Sequence, residues 1–483
     1  MCSPTTAVGG ELHAEAVRVD IWQRVGPVSS ALQNSRIRAV DAYTPGVKLS
    51  VIGCGYLGAV HAASMAHLGH EVIGVDTDQE VIRKLSNGEA PFYEPGLPEL
   101  LASGRASGAL GFTNDISEAS TATVHFVCVG TPQRVGEFAA DLSFVDAAFE
   151  SLLPHLKPGD VVVGKSTVPV GTAERLANRV HEAQPLAELI WNPEFLREGK
   201  AVRDTLTPDR FVYGVQDGEA GTRAAATLDD VYAQAIASGT PRLIGDMATA
   251  QLVKVAANSF LATKISFINA MAELCEASGA DVAFLADAIG HDDRIGRQFL
   301  NAGLGFGGGC LPKDIRAFMA RAGELGVDQT LAFLREVDAI NMRRRVRMVD
   351  LAREECGGSI GGRRIVVLGA SFKPESDDVR DSPALTVAAE MSLQGADVVV
   401  TDPEAIGNAK RKWPDLVFEV DTELALRDAD LVLVLTEWQE YRDLDPGHVG
   451  QIVHDRRVLD GRNCLDPEKW RAAGWSYRAL GRR

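Results

Sequence analysis

Cysteines in disulfide-ready pairs are missing from this sequence. The seven it has, at positions 2, 54, 128, 275, 310, 356 and 464, are odd in number and never spaced C-x-x-C. That is a poor disulfide framework and a poor zinc site, and it points to a reducing compartment, the cytoplasm. Metal-ligand clusters are equally scarce: of ten histidines only His67 and His70 stand close together, in HLGH, so no metal is expected. No run approaches the roughly 18 apolar residues of a membrane span. Positive charge is in deficit too, with 49 Lys and Arg against 66 Asp and Glu and a formal net charge of −17. Such a balance argues against general affinity for nucleic acid or anionic membranes, while leaving room for a local basic pocket that takes an anionic ligand.

What is present is a folded α/β chain. At 483 residues, 46% hydrophobic and 24% charged, it is long enough for two or three domains. Residues 1–47 lack both a continuous apolar segment and any periodicity, and are expected to be a flexible N-terminal extension; alternatively, translation starts at Val47. Then the pattern sharpens. KLSVIGCGYLG is an apolar strand running into Gly53-x-Gly55-x-x-Gly58, VHAASMAHLG continues as a helix, and HEVIGVD is a second strand ending on Asp76. Strand, glycine turn, helix and a terminal acid together spell a dinucleotide fold. The glycines let backbone N–H groups approach a pyrophosphate at the helix N-terminus, and Asp76 would accept from a ribose diol. VHFVCVGTP, DVVVGKSTVPVGT and LIWNPEF follow as further strands. In an open parallel sheet their C-terminal ends line one crevice, which places Thr131, Thr167 and Glu194 in a common cleft.

From about 246 the chain reads as a helix of some thirty residues without proline or internal glycine. Lys254 and Asn258 are spaced i, i+4 on it and share a face; taken alone, that face reads as solvated. A second helix is expected over about 326–355, and its basic run MRRRVRM reads as surface or subunit contact. The last third repeats the first in outline: RRIVVLGASFK is strand into glycine turn, GADVVVTDP a strand ending on Asp402, DADLVLVLTEW the next strand. Only Gly369 remains of the fingerprint, so this unit should bind something other than a dinucleotide. Lys373, Arg380 and Arg462 lie in loops where that sheet's C-terminal edge would meet a ligand. Between the two units stands GFGGGCLPKD, four glycines in five residues leading into Cys310.

These motifs together resemble the UDP-glucose/GDP-mannose dehydrogenase family, from Lys48 to the end of the chain: GCGYLG, YEPGL (93–97), VGTP (129–132), STVPVGT (166–172), NPEFLREG (192–199), KVAANSF (254–260), RIGRQFLNAGLGFGGGCLPKD (294–314) and FKPESDDVRDSP (372–383). The resemblance implies two doubly wound Rossmann-like domains joined by a long central helix. The division would be an NAD-binding domain over 48–245, a central helical and dimerisation region with the cysteine loop over 246–355, and a UDP-sugar-binding domain over 356–483. It further implies that UDP-glucose, two NAD⁺ and water give UDP-glucuronate and two NADH, in a homodimer or larger homo-oligomer.

The roles of residues follow from the same resemblance. Cys310 would form a thiohemiacetal that oxidises to a thioester. Lys254 and Asn258 would bind the oxyanion at C6. Asp314, with a water held by Thr167, would be the base of the first step, and Glu194 is the candidate for activating the hydrolytic water. Lys313 would either hold the thiol anionic or contact the cofactor. Gly53, Gly55, Tyr56, Leu57, Gly58, Asp76, Thr131, Thr167, Glu198 and Arg380 would contact NAD. Phe195, Leu196, Phe299, Leu300, Gly307, Lys373 and Arg462 would contact the UDP-sugar beside Glu194, Lys254 and Asn258, with Arg294 reaching across a subunit boundary.

Two features depart from the family pattern: Val81 stands where a lysine is frequent, and the 1–47 extension is extra. The GDP-mannose branch shares Cys310, Lys254 and Asn258 and stays as the alternative, although RIGRQFL looks like the uridine-binding version. Gly309 and Lys313 speak against the N-acetylmannosamine branch, and the presence of Cys310 and Lys254 against an inactive nucleotide-binding regulator. The cofactor choice yields a prediction. Asp76 would face the 2′-phosphate of NADP⁺, and Thr77 and Asp78 bring no cation. Repulsion at about 4 Å is worth roughly 1–4 kcal/mol, or about five- to a thousand-fold in preference for NAD⁺; comparable kcat/KM with both cofactors would reject it.

Overall fold

The computed structural model of the chain describes residues 46–482. Apart from Gly46 and Val47, the reading of residues 1–47 as a flexible extension therefore lies outside the described residues. Two sheets account for the strands. The first holds β1 (Lys48–Ile52), β2 (Glu71–Val75), β3 (Leu110–Thr113), β4 (Val124–Val127), β5 (Val161–Gly164), β6 (Glu188–Trp191), β7 (Phe211–Gly214) and β8 (Arg242–Gly245). Its order is β3-β2-β1-β4-β5-β6-β7-β8. All neighbours run parallel except β6 and β7, which meet antiparallel where Trp191 faces Gly214. The runs VHFV and VVVG are buried at every position, as strands covered by helices on both faces must be.

The second sheet holds β9 (Arg364–Leu368), β10 (Asp397–Thr401), β11 (Val417–Phe418), β12 (Leu431–Val434), β13 (Arg457–Asp460) and β14 (Ser476–Ala479), in the order β11-β10-β9-β12-β13-β14 and parallel throughout. Renumbered from its own first strand, this is the 3-2-1-4-5-6 order of the first six strands of the other sheet. Both are doubly wound Rossmann-like units, with a switch point between the first and fourth strands where a ligand crevice opens.

Between the sheets runs the helix Met247–Ser278, 32 residues long. Asp246 caps it by accepting from Thr249 N–H at 2.7 Å, and it ends where Gly279 turns left-handed at φ 80°. Against it pack β7 and the helices Leu311–Glu324 and Phe333–Glu355. That last helix starts later than its sequence suggests, because Asp328–Leu331 form a separate 3-10 turn. Among the described residues no helix is long and apolar enough to cross a membrane.

The basic run of Phe333–Glu355 needs a correction. Arg344 is fully buried and Arg345 is 4% exposed, so two of the four arginines of MRRRVRM face inward instead of forming a surface. The helical period explains it: Asn341, Arg344, Arg345, Met348 and Ala352 share the core-facing side. Arg344 bridges Glu273 at 3.6 Å and Glu276 at 3.0 Å on the central helix, and Glu276 also takes Arg347 at 2.8 Å. Removing one partner of a buried ion pair costs about 3–5 kcal/mol. Arg344→Ala should fall at the low end because Glu276 keeps Arg347. Arg343, with its side chain 52% exposed and 3.6 Å from Glu273, should cost about 1 kcal/mol or less as alanine. Thermal melting of the two variants checks this, and equal shifts would show that Arg344 does not carry the helix pairing.

Candidate active site

The glycine turn after β1 is shaped for close approach. Gly53 sits at φ 86°, where a Cβ would also strike Val129, and a Cβ on Gly58 would lie 1.8 Å from the Gly53 carbonyl. A Cβ on Gly55 would meet nothing within 4 Å, so its face is open to the crevice and to a phosphate at the N-terminus of the helix Tyr56–His67. Asp76 accepts from Cys54 N–H at 2.7 Å through Oδ2 and from Asp78 N–H at 2.9 Å through Oδ1. Its half-exposed carboxylate lines the crevice, with lone pairs left for a ribose diol. These residues fit the adenosine and diphosphate end of NAD.

The crevice is one end of a continuous cleft of about 2090 Å³ lined from both sheets and from the central helices. Single-ligand pockets run to about 300–1,000 Å³, so two ligands fit. Of the site residues expected from sequence, all but Gly58, Asp314 and Arg294 line it, and Thr131, Thr167 and Glu194 do share it. Gly58 is used in closing the turn. Arg294 projects to solvent with its side chain 89% exposed, paired to Asp292 at 2.6 Å. Asp314 lies just behind the wall, 2% exposed.

Cys310 caps the N-terminus of the helix Leu311–Glu324 and is open to the cleft. A helix N-terminus favours a thiolate, yet the surroundings decide otherwise. Desolvation by the cleft walls comes first, the Asp314 carboxylate adds to it, and together they push the thiol up to about 11 against the pull of Lys254 and Lys313. Lys313 does not hold the thiol anionic here, because its ammonium pairs with Asp314 at 2.6 Å and reaches Thr131 Oγ1 at 3.5 Å.

Lys254 and Asn258 correct another expectation. Their shared helix face is not solvated: the two are 5% and 8% exposed. Lys254 Nζ donates to Glu194 Oε1 at 3.0 Å, and Asn258 Nδ2 donates to Asp314 Oδ2 at 2.6 Å. Burial works against the Lys254 charge, but Glu194, Cys310 and Asp314 outweigh it and raise its pKa, so the ammonium persists at neutral pH. Glu194 is fixed from its other oxygen by Leu196 N–H at 2.8 Å, and Phe195 lies between Arg210 and Lys254. An ammonium and a carboxamide N–H therefore stand in the cleft that holds the thiol, each tied to a carboxylate.

Loops of the second sheet close the far side. Arg380 bridges Asp378 at 2.7 Å and Glu198 at 3.0 Å, and Lys373 donates to the Glu198 carbonyl. Burial, with Asp378 nearby, pushes the Glu198 carboxyl up to about 7 although Arg380 and Lys373 oppose the rise. Arg462 donates to the carbonyls of Leu435 at 2.7 Å, Gly305 at 2.9 Å and Phe372 at 3.2 Å, pinning three loops together. The glycines before Cys310 answer first to protein neighbours: a Cβ on Gly307 would meet the Asp381 carbonyl at 2.4 Å and one on Gly309 the Arg380 guanidinium at 2.2 Å. Phe299, at φ 63°, and the buried Leu300 form the wall beside this loop.

A residue behind the cleft supports the site without having carried an expected role. Glu94, in YEPGL, is 3% exposed. It accepts from Tyr56 OH, from Gly199 N–H at 2.7 Å and from Ala201 N–H at 2.7 Å, so it joins the cofactor turn to the NPEFLREG loop. Its only signal in the sequence was membership of a motif.

Comparisons with known proteins agree with this geometry. Three family descriptions match in order: "UDP-glucose/GDP-mannose dehydrogenase family, NAD binding domain" over residues 47–236, its central domain over 248–343 and its UDP binding domain over 366–467. The UDP-glucose 6-dehydrogenase of Rhizobium meliloti is 41% identical over 439 residues, covering 90% of this chain and 100% of that relative. That of Bacillus subtilis, TuaD, is 40% identical over 441 residues, covering 90% and 93%. Among solved structures, a UDP-glucose dehydrogenase from Pyrobaculum islandicum superposes with a TM-score of 0.82 at 37% identity, covering 91% of this chain and 98% of that one. The agreement runs through all three parts of the chain and leaves one conclusion: it belongs to the UDP-glucose/GDP-mannose dehydrogenase family.

Proposed function

We propose that the chain is a UDP-glucose 6-dehydrogenase that oxidises the C6 alcohol of UDP-glucose through the aldehyde to the carboxylate of UDP-glucuronate. The observation that carries this reading is the convergence of Cys310, Lys254 and Asn258 in the cleft that also holds the dinucleotide turn. The uridine branch is supported by the names of the relatives, against the GDP-mannose alternative; side-by-side turnover of the two sugars tests it. NAD⁺, when bound, accepts the hydrides. Asp314, hydrogen-bonded to Asn258 behind the cleft wall, takes the alcohol proton through a water held by Thr167 as the first hydride leaves C6. Lys254 and Asn258 stabilise the negative charge on the C6 oxygen in each step. The Cys310 thiol then adds across the aldehyde: the Sγ–C6 bond forms and the C6 oxygen becomes a hydroxyl. Loss of that hydroxyl proton and of the second hydride leaves a thioester. Water, activated at Glu194, breaks the C6–S bond and restores the thiol.

Three further assignments go with it. The boundaries at 245/246 and 355/356 are supported by β8 ending at Gly245 and by the helix ending at Glu355. A homodimer is supported by the exposed Phe260, Phe267 and Leu274 (67%, 48% and 60%), whose seven-residue spacing puts them on one helix face. Phe260 also lines the cleft, so a second copy seated there would border the site, within reach of an arginine such as Arg294. A cytoplasmic setting keeps the nucleophilic thiol reduced.

Cys310→Ala should abolish net turnover while leaving binding of both ligands largely intact. It should still reduce the 6-aldehyde of UDP-glucose with NADH, because the first step keeps its base and oxyanion donors. Two NADH per sugar at near-normal rate from this variant would sink the covalent mechanism. In the free wild type, alkylation of Cys310 should climb with pH toward about 11, since the thiol stays protonated below that value; a plateau by pH 8 would contradict it. Phe267→Glu should leave a monomer by analytical ultracentrifugation, and an unchanged mass would remove the helix face from the dimer.

A further inference from the structure

Two side chains one turn apart on the helix Phe333–Glu355 hold the glycine loop by the backbone of a single residue. Asn341, fully buried, accepts from Phe306 N–H at 2.8 Å and donates from Nδ2 to the Phe306 carbonyl at 2.9 Å. That is the two-point pairing one strand makes with the next. Arg345 donates to the same carbonyl at 3.4 Å, and its other amino group reaches Asp381 Oδ1 at 2.9 Å and Thr386 Oγ1 at 3.1 Å. Asp381 belongs to the loop on which the glycine run leans, where Gly308 N–H donates to the Arg380 carbonyl at 2.8 Å. Gly305 turns left-handed at φ 94°, and a Cβ there would lie 2.3 Å from Asn341 Oδ1, so the grip leaves no room for any other residue. Neither Asn341 nor Arg345 lines the cleft. Phe306, which they hold, is four residues from Cys310.

The geometry points to Asn341 and Arg345 as positioning residues for the nucleophile: the pair sets where Cys310 Sγ stands relative to C6 and thereby governs the thiol addition. The inference rests on the proposed function. The groups of the first step do not depend on this grip. Asp314, Asn258, Lys254 and Glu194 are held by one another at 2.6 and 3.0 Å, and Asp314 sits inside the helix Leu311–Glu324, which packs on the central helix. The glycine stretch that the pair holds reaches only as far as the thiol. Displacing a reacting atom by about 1 Å can cost roughly a hundred-fold in rate, so loosening the loop should slow the second oxidation and spare the first.

Asn341→Asp tests this. It is nearly isosteric, keeps an acceptor for Phe306 N–H, and sets a carboxylate against the Phe306 carbonyl. Turnover of UDP-glucose should fall by about 10- to 100-fold, while reduction of the 6-aldehyde by NADH stays within about threefold of the wild type. In the free protein, the pH of half-maximal alkylation of Cys310 by iodoacetamide should move down, because a loosened loop admits water to the sulfur. Arg345→Lys, which keeps a cation for Asp381 but loses the fork, should show the same split more weakly, and it decides the matter if Asn341→Asp does not fold. Parallel loss of both half-reactions with an unshifted alkylation profile, or no change in any of the three, overturns the positioning role. Alkylation needs no nucleotide. A wild type that makes no UDP-glucuronate would therefore overturn the proposed function alone, and an unshifted profile in the variants this inference alone.

Discussion

Asp314 is a carboxylate with almost no access to water, and a buried charge survives only when it is paired and hydrogen-bonded. Its two oxygens are taken by Asn258 and Lys313. The first bond ties the helix that follows Cys310 to the central helix, and the second pairs the neighbouring ammonium. Glu194 stands in the same relation to Lys254. Each carboxylate fixes one of the two nitrogen donors that the proposed function aims at the sugar. The cleft is thus preorganised by pairs that satisfy one another before any ligand enters, and the placement of the central helix follows from those pairs.

The two sheets show one device used in opposite senses. Asp76 and Asp402 both follow the second strand of their unit, and each accepts, at 2.7 Å, the N–H of the residue after the first glycine of the turn. Asp76 keeps its remaining lone pairs facing the crevice. Asp402 spends them on Ser371, on Trp438 Nε1 at 3.1 Å and on the N–H groups of Glu404 and Ala405. Thr436 fills the space beside Gly369. The second unit therefore retains the fold of a dinucleotide site while its ribose acceptor is walled in, and under the proposed function its ligand contacts would come from the loops of Lys373 and Arg462 instead.

Much of this was legible in the residues. The apolar strands, the fingerprint glycines and the terminal acid have local signals, because strand and turn are decided within a few positions. Burial on a helix is decided by what packs against it. Lys254, Asn258 and Arg344 read as solvated because their identities are polar, and only the partners brought by distant segments make them interior. Glu94 was invisible as a functional group for the same reason: its bonds go to backbone more than a hundred residues away. The two-residue β11 and the wholly exposed β8 carry too little periodicity to announce a strand.

The resting acidity of Cys310 has a consequence for the lifetime of the protein. Peroxide and other oxidants attack the thiolate, and the steps beyond sulfenic acid are largely irreversible. A thiol held protonated in an open cleft is a slow target between turnovers. Under the proposed function, a carbonyl carbon placed against it, with Lys254 and Asn258 ready for the charge that addition creates, draws the sulfur into reaction. Burial, with the Asp314 carboxylate adding to it, thus shields the sulfur from oxidation while the cleft stands idle.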